Sequence, residues 1–184
     1  MDEQRRRQLE SRLQSVLGEL GVLCNELGIE LDSNSVSQPP AVEPQRGGLL
    51  LLAQLGDLYI GFSAHDLQEL VRMVSLSKAL DPRPELQGFI DIRGQAVPVL
   101  DLRCLLGKGV QEADPEQVIV VLSEGDTRIA VVVDEVLDIY ETTPDNYQHR
   151  EELNLRRGFI SGVALIEHKL VAVVDPKRLA REVL

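Results

Sequence analysis

Apolar residues follow two different periods along the chain. In the first, Leu9, Leu13, Val16, Leu20, Leu23 and Leu27 recur at alternating spacings of four and three, the a/d seam of a heptad pattern. Arg5, Glu10, Arg12, Gln14 and Glu19 fill much of the remaining surface. This predicts an amphipathic helix over 1–31. Gly18, Gly21 and Gly28 weaken it by about 1 kcal/mol each relative to Ala, and so short a helix is marginal alone. It is expected to dock on its own domain, on a second copy or on a partner. Residues 32–48 lose the period, with Ser33-Asn34-Ser35, Pro39-Pro40, Pro44 and Gly47-Gly48, and read as a linker.

From Leu49 the period becomes that of strands. Leu49–Leu55 and Leu58–Phe62 flank Gly56-Asp57, a two-residue hairpin loop with glycine first. Ser63 and Asp66 stand at capping-box spacing, and Leu67–Val74 suits either a strand or a helix. A second hairpin is expected from Phe89–Arg93, a Gly94-Gln95 turn and Ala96–Leu102. It places Ile90 and Ile92 on one face, Asp91 and Arg93 on the other. Pro98 marks its strand as an edge or a bulge. Asp101 is placed to cap a short helix over Leu102–Leu106, with Gly107 ending it. Beyond the acidic connector Lys108–Gln117, Val118–Leu122 and Arg128–Val133 form a hairpin around Glu124-Gly125-Asp126, and Asp134–Tyr140 follows. After the polar stretch 141–157, Phe159–Leu165 and Leu170–Val174 repeat the design around Glu167-His168-Lys169. Asp175-Pro176 then opens a last helix, with an N-cap carboxylate and proline at the first helical position.

The halves echo one another. Ile60–Leu67 lies opposite Ile129–Val136 at an offset of 69 (60 to 129), Gly88-Phe89-Ile90 opposite Gly158-Phe159-Ile160 at 70 (88 to 158), and Val99-Leu100-Asp101 opposite Val173-Val174-Asp175 at 74 (99 to 173). The change from 70 to 74 places four inserted residues near the second turn. A β pattern repeated twice implies two similar small barrels, the halves running about 49–107 and 118–184. Each is too small to be stable alone, so they are expected to share an interface, whose groove is a natural binding place.

Composition narrows the function. Among the 184 residues there are three Phe, three Tyr and no Trp, so Val, Leu and Ile must fill the core. A net charge of −11 without a long basic run opposes nucleic acid and anionic lipid. No run reaches the roughly 18–20 apolar residues of a membrane span, and the charged N-terminus is no secretory signal. A cytoplasmic protein without direct membrane insertion is expected. Cys24 and Cys104 are far apart and read as reduced thiols. His65, His149 and His168 lack metal-ligand spacing with each other or the cysteines. No phosphate loop, nucleophile elbow or zinc-protease motif occurs, so neither cofactor nor metal is expected. Asp101 and Asp175 occupy matching positions after strands. Capping accounts for both more simply than a catalytic carboxylate pair. Arg93, at a hairpin tip, reads either as solvated or as a binding residue; Glu69 reads as an exposed residue or the rim of a contact surface.

Gly88-Phe-Ile-Asp-Ile-Arg-Gly-Gln-Ala-Val-Pro-Val-Leu-Asp-Leu-Arg103 resembles the glycine-hydrophobic-Ile-Asn-Leu-Arg-Gly…Pro-Val-hydrophobic-Asp-Leu-Arg signature of the CheW-like coupling domain of bacterial chemosensory systems. Leu67-Gln68-Glu69-Leu70 resembles that family's V-x-E-I segment, and Gly125–Val136 its second-half run ending V-D-x-V. The resemblance spans roughly Leu49 to Ala180. It implies a mainly β fold of two SH3-like five-stranded barrels side by side, here with an N-terminal helix and a short C-terminal helix added. It also implies a non-enzymatic adaptor that binds the cytoplasmic tip of a chemoreceptor and the regulatory domain of a histidine kinase. By the same resemblance Arg93, Leu67, Glu69 and Gly88 are receptor-binding positions, and Asp91 and Gly94 join them as candidates. Two departures stand out. Tyr59-Ile60-Gly61-Phe62-Ser63 replaces the usual Tyr-Gly-Ile-Pro run, and Asp91 replaces the common asparagine, setting a negative charge two residues from Arg93. The alternative expectation is a CheW-like interaction protein serving another output, such as surface motility or second-messenger signalling, and assembling through its N-terminal helix.

Overall fold

Alternating Val, Ile and Leu over six or seven residues, punctuated by Gly-Asp, Arg-Gly and Glu-His pairs, gives a chain of hairpins. The computed structural model describes residues 48–80, 83–109, 114–149 and 158–183; the expected helix over 1–31 and the linker up to residue 47 lie outside them. The strands are β1 (Leu49–Leu55), β2 (Leu58–Ser63), β3 (Leu67–Arg72), β4 (Leu86–Ile92), β5 (Gln95–Leu100), β6 (Val118–Glu124), β7 (Thr127–Val133), β8 (Glu135–Glu141), β9 (Tyr147–His149), β10 (Ile160–Ile166) and β11 (Lys169–Val174). Helix α1 (Leu102–Leu105) follows β5 and α2 (Pro176–Val183) follows β11. The ambiguous segment after Asp66 is thus a strand, and Ser63 caps no helix: its Oγ accepts from the His65 amide in the turn.

Two sheets form, ordered β8-β1-β2-β11-β10-β9 and β3-β6-β7-β5-β4. Neither corresponds to one half of the sequence. The hairpin β1–β2 leaves its own half to lie between β8 and β11, and β6–β7 lies between β3 and β5. The joins are the parallel pairs β2–β11 and β5–β7. The repeat is therefore built by exchange of the leading hairpins. The six-stranded sheet has one strand more than expected, the short β9.

Register corrects the sequence match of the second hairpins. Leu86 and Gly88 bracket a bulge opposite Leu100 and Val99, while Ile160 and Gly162 bracket the same bulge opposite Val174 and Val173. The counterpart of Gly88 is Gly162, not Gly158, and the offset is 74 throughout this hairpin. The additional residues lie before β10 rather than at its turn. The turns move with the register: Ile92 pairs with Gln95 and Ile166 with Lys169. The two-residue loops are Arg93-Gly94, rather than Gly94-Gln95, and Glu167-His168.

Burial follows strand alternation in an unusual way. In β1, Leu50 and Leu52 enter one apolar cluster while Leu51, Ala53 and Leu55 enter another. In β7, Ala130 and Val132 enter a third cluster and Ile129, Val131 and Val133 join the second. The exchanged hairpins thus have a core on each face: a barrel interior on one side, the shared core between barrels on the other. This explains the near-continuous apolar runs. Pro98 sits inside a sheet and not at its edge. The contact of β5 with β7 covers only Val99 and Leu100, so the missing amide of Pro98 falls beside an unpaired flank.

Two further constraints complete the frame. The segment after β3 crosses back to β4, where Ser77 and Phe89 exchange backbone hydrogen bonds of 2.9 Å. Gly88 has a φ of 149°, and a Cβ there would lie 2.5 Å from the Ser77 carbonyl oxygen. Between the barrels, Asp134 gathers the Gly56 amide (2.6 Å), the Gln117 side-chain amide (3.0 Å) and the guanidinium of Arg103. Burial pushes the Asp134 carboxyl up, but the hydrogen bonds from Gln117, Gly56 and Arg103 together with the Arg103 charge outweigh it and hold the carboxyl below its ordinary value.

Gly88→Ala is expected to destabilise the fold by about 2–3 kcal/mol, seen as a lower urea midpoint. Gly162→Ala behaves alike, because its Cβ would overlap the Gln148 carbonyl oxygen. The depressed carboxyl of Asp134 contributes stability that is complete above the unfolded-state value near pH 4 and fades as pH falls through the lower folded-state value. Asp134→Asn should therefore lower stability at neutral pH by about 2 kcal/mol and remove part of the wild type's acid-side decline, as read by denaturation at stepped pH.

Candidate partner-binding site

The tip of the β4–β5 hairpin presents Arg93. Both loop residues are left-handed, Arg93 at φ 54° and Gly94 at φ 81°, the type I′ geometry that matches strand twist. Glycine adopts it freely; a residue with a Cβ pays about 1 kcal/mol or more. Asp91 holds the turn in place: its Oδ1 accepts the Gly94 amide at 2.8 Å. The carboxylate near Arg93 is thus engaged in shaping the loop that carries it, a bond that the side-chain oxygen of an asparagine could accept as well. Arg128 of β7 donates to the Gln95 side chain, anchoring the first residue after the loop.

Glu69 reaches this tip from the far edge of the same sheet. Its Oε1 lies 3.8 Å from Arg93 Nε, with the arginine side chain 77% exposed. That separation exceeds a hydrogen bond, and exposed ion pairs contribute at most about 1 kcal/mol. The same Oε1 is buried without a hydrogen-bond partner. Arg93 is held near Glu69 yet keeps its donors available. Leu67 is half-buried and packs on the shared core, so part of its role is structural. Leu70 follows Glu69 in β3 and so turns to the opposite face of the strand, where it is 45% exposed.

Of the sequence candidates, Arg93 and Glu69 are brought together, and Asp91 and Gly94 form one turn. Gly88 belongs to the crossing beneath Ser77 and supports the hairpin from within. Leu70 and Arg128 were not singled out by sequence. Leu70 had a signal in the strand alternation, which turns it outward once β3 is known to be a strand; Arg128 had none. Asp101 is fully buried and caps α1 through the Arg103 amide (2.9 Å), while Asp175 caps α2 through the Arg178 amide (2.8 Å). Both carboxylates are spent on helix ends.

The family model of the CheW-like domain matches residues 49–184. The chain belongs to the CheW-like domain family. Among curated relatives, the chemotaxis protein CheW of Klebsiella aerogenes is 24% identical over 135 residues, covering 72% of this chain and 81% of that protein. The probable chemotaxis protein CheW of Rhizobium etli is 28% identical over 97 residues, 52% of this chain and 63% of that protein. Among solved structures, the scaffolding protein TtCheW of Thermoanaerobacter tengcongensis superposes with a TM-score of 0.63 at 20% identity, covering 70% of this chain and 89% of that one. The CheW-like fold is therefore the frame in which the Arg93 hairpin sits. No helix among the described residues is long and apolar enough to cross a membrane.

The Asp91 turn is testable apart from any partner. Asp91→Ala should cost about 1 kcal/mol and speed hydrogen exchange at the Gly94 amide. Asp91→Asn, which keeps the acceptor oxygen, should retain protection.

Proposed function

We propose that this CheW-like protein is a non-enzymatic adaptor that couples a chemoreceptor's cytoplasmic tip to the regulatory domain of a histidine kinase. The observation that carries the reading is the Arg93 hairpin within a CheW-like domain: a left-handed, Asp91-braced turn with an exposed guanidinium beside Glu69. Such a surface suits a helical partner that offers an acidic or amide group, since arginine forms strong charge-assisted bonds and arginine-centred patches dominate many interfaces. Leu67 and Gly88 support the surface from the core side. The relatives named as chemotaxis proteins favour this reading over another output. Residues 1–31, with their heptad spacing, are proposed to serve self-association.

Arg93→Glu should abolish receptor-dependent control of kinase activity in a reconstituted array and weaken receptor binding by about tenfold or more, with an unchanged circular dichroism spectrum. Normal coupling by that variant would remove Arg93 from the site. Deleting residues 1–47 should lower the solution mass measured by light scattering while leaving receptor binding intact.

A further inference from the structure

Strand alternation gathers a ring of polar side chains at one end of the first barrel. Ala130 and Val132 of β7, Val97 and Val99 of β5 and Val121 of β6 enter that barrel's core. Further out on the same faces stand Arg128, Gln95 and Ser123, and Glu69 lies opposite Val121 in the β3–β6 register. Arg93 joins this ring through its contact with Glu69. The Arg128 guanidinium donates to the Gln95 side-chain oxygen and pairs with no carboxylate of the described residues. One end of a chain whose net charge is −11 thus holds two guanidinia, and Glu69 is the one described carboxylate that pairs with either.

The second barrel shows what this end needs for structure alone. Leu58 closes the β1–β2 hairpin opposite Leu55 as Thr127 closes β6–β7 opposite Glu124, so Tyr59 stands in the place of Arg128. Lys169 faces Ile166 as Gln95 faces Ile92, and Glu167 stands in the place of Arg93. There Lys169 Nζ lies 5.0 Å from the centre of the Tyr59 ring. A side-chain contact ties the two strands of the parallel join in both barrels, but in the second the cation sits on the trailing hairpin and is covered by a ring. The tie needs no guanidinium on the inner strand. Arg128 supplies one, on the barrel end that carries the Arg93 hairpin.

We propose that Arg128 is a specificity-determining residue of the receptor surface, its guanidinium taking a second acceptor group of the partner beside the one bound by Arg93. The proposal rests on the receptor reading of the Arg93 hairpin. Half-buried and held by Gln95, Arg128 is oriented before the partner arrives, so little side-chain entropy is lost on binding. Its planar fork leaves donors for a carboxylate or an amide oxygen. A helix that satisfies only one of the two arginines leaves the other desolvated without a partner and is selected against. The surface therefore favours a receptor segment with paired acceptors.

The test is binding of the full chain to the soluble cytoplasmic fragment of a chemoreceptor from the same organism, measured by titration calorimetry at low and high salt. Arg128→Gln, which keeps a donor toward Gln95, should weaken binding about five- to tenfold and reduce its salt dependence, with exchange of the Gly94 amide unchanged. Arg128→Lys should restore the salt dependence and only part of the affinity. Gln95→Ala should bind within about twofold of the wild type. Equal losses in Gln95→Ala and Arg128→Gln would mean that Arg128 only props the loop, and overturn the proposal. Wild-type binding by Arg128→Gln where Arg93→Glu has lost it overturns the proposal alone. If Arg93→Glu also binds normally, or the wild type does not bind, the receptor reading falls and this inference falls with it.

Discussion

The hairpins β1–β2 and β6–β7 are buried from both sides, and the architecture follows from satisfying them. A strand with apolar residues on successive positions has no face it can turn to water, so each hairpin must find one layer in its own barrel and another between barrels. Exchange accomplishes this: each leading hairpin is clasped by the trailing strands of the other half, and the parallel joins β2–β11 and β5–β7 lock the arrangement. The peripheral strands are then free to be half-exposed. That is why β3 can present Leu70, and the β4–β5 tip Arg93, without loss of core.

Polar contacts refine what the apolar layers establish. Asp134 sits where the first hairpin's turn, α1 and the start of β6 meet, and it accepts from all three. Its half of the pseudo-symmetric pair is complete. At the matching places of the other half stand His65 for Asp134, Gly48 for Gln117 and Lys177 for Arg103, so this junction is not repeated there. A duplicated fold thus carries this polar junction in one of its halves.

Much of this was legible in the residues themselves. The Gly56-Asp57 loop, the capping carboxylates Asp101 and Asp175, and the inward Ile90 and Ile92 each follow from local rules that tertiary context did not override. What escaped were relations between distant residues. Matching Gly88 to Gly158 relied on a shared Gly-Phe-Ile triplet, whereas the bulge that defines the position pairs it with Gly162; identity of letters is weaker than identity of register. The loop at Arg93 was misplaced by one residue because arginine rarely adopts positive φ, and nothing local announces that Asp91 will stabilise it. Exchange of hairpins was invisible for a different reason. A repeat in sequence is the same whether each copy folds on itself or trades strands with its twin.

That trade fixes the order in which the molecule can come into being. Gly48 and Thr142 are bonded across 94 positions, and the hairpin β1–β2 precedes in the chain both strands that flank it, β8 and β11. β1–β2 must therefore wait, apolar on both sides, until β8 and β11 have been made. Loops of that span close slowly, and a waiting two-faced hairpin is a surface on which other chains can aggregate. The same feature that gives the finished protein its doubly packed centre makes its nascent chain dependent on completion, so a truncated product would lack both barrels rather than one.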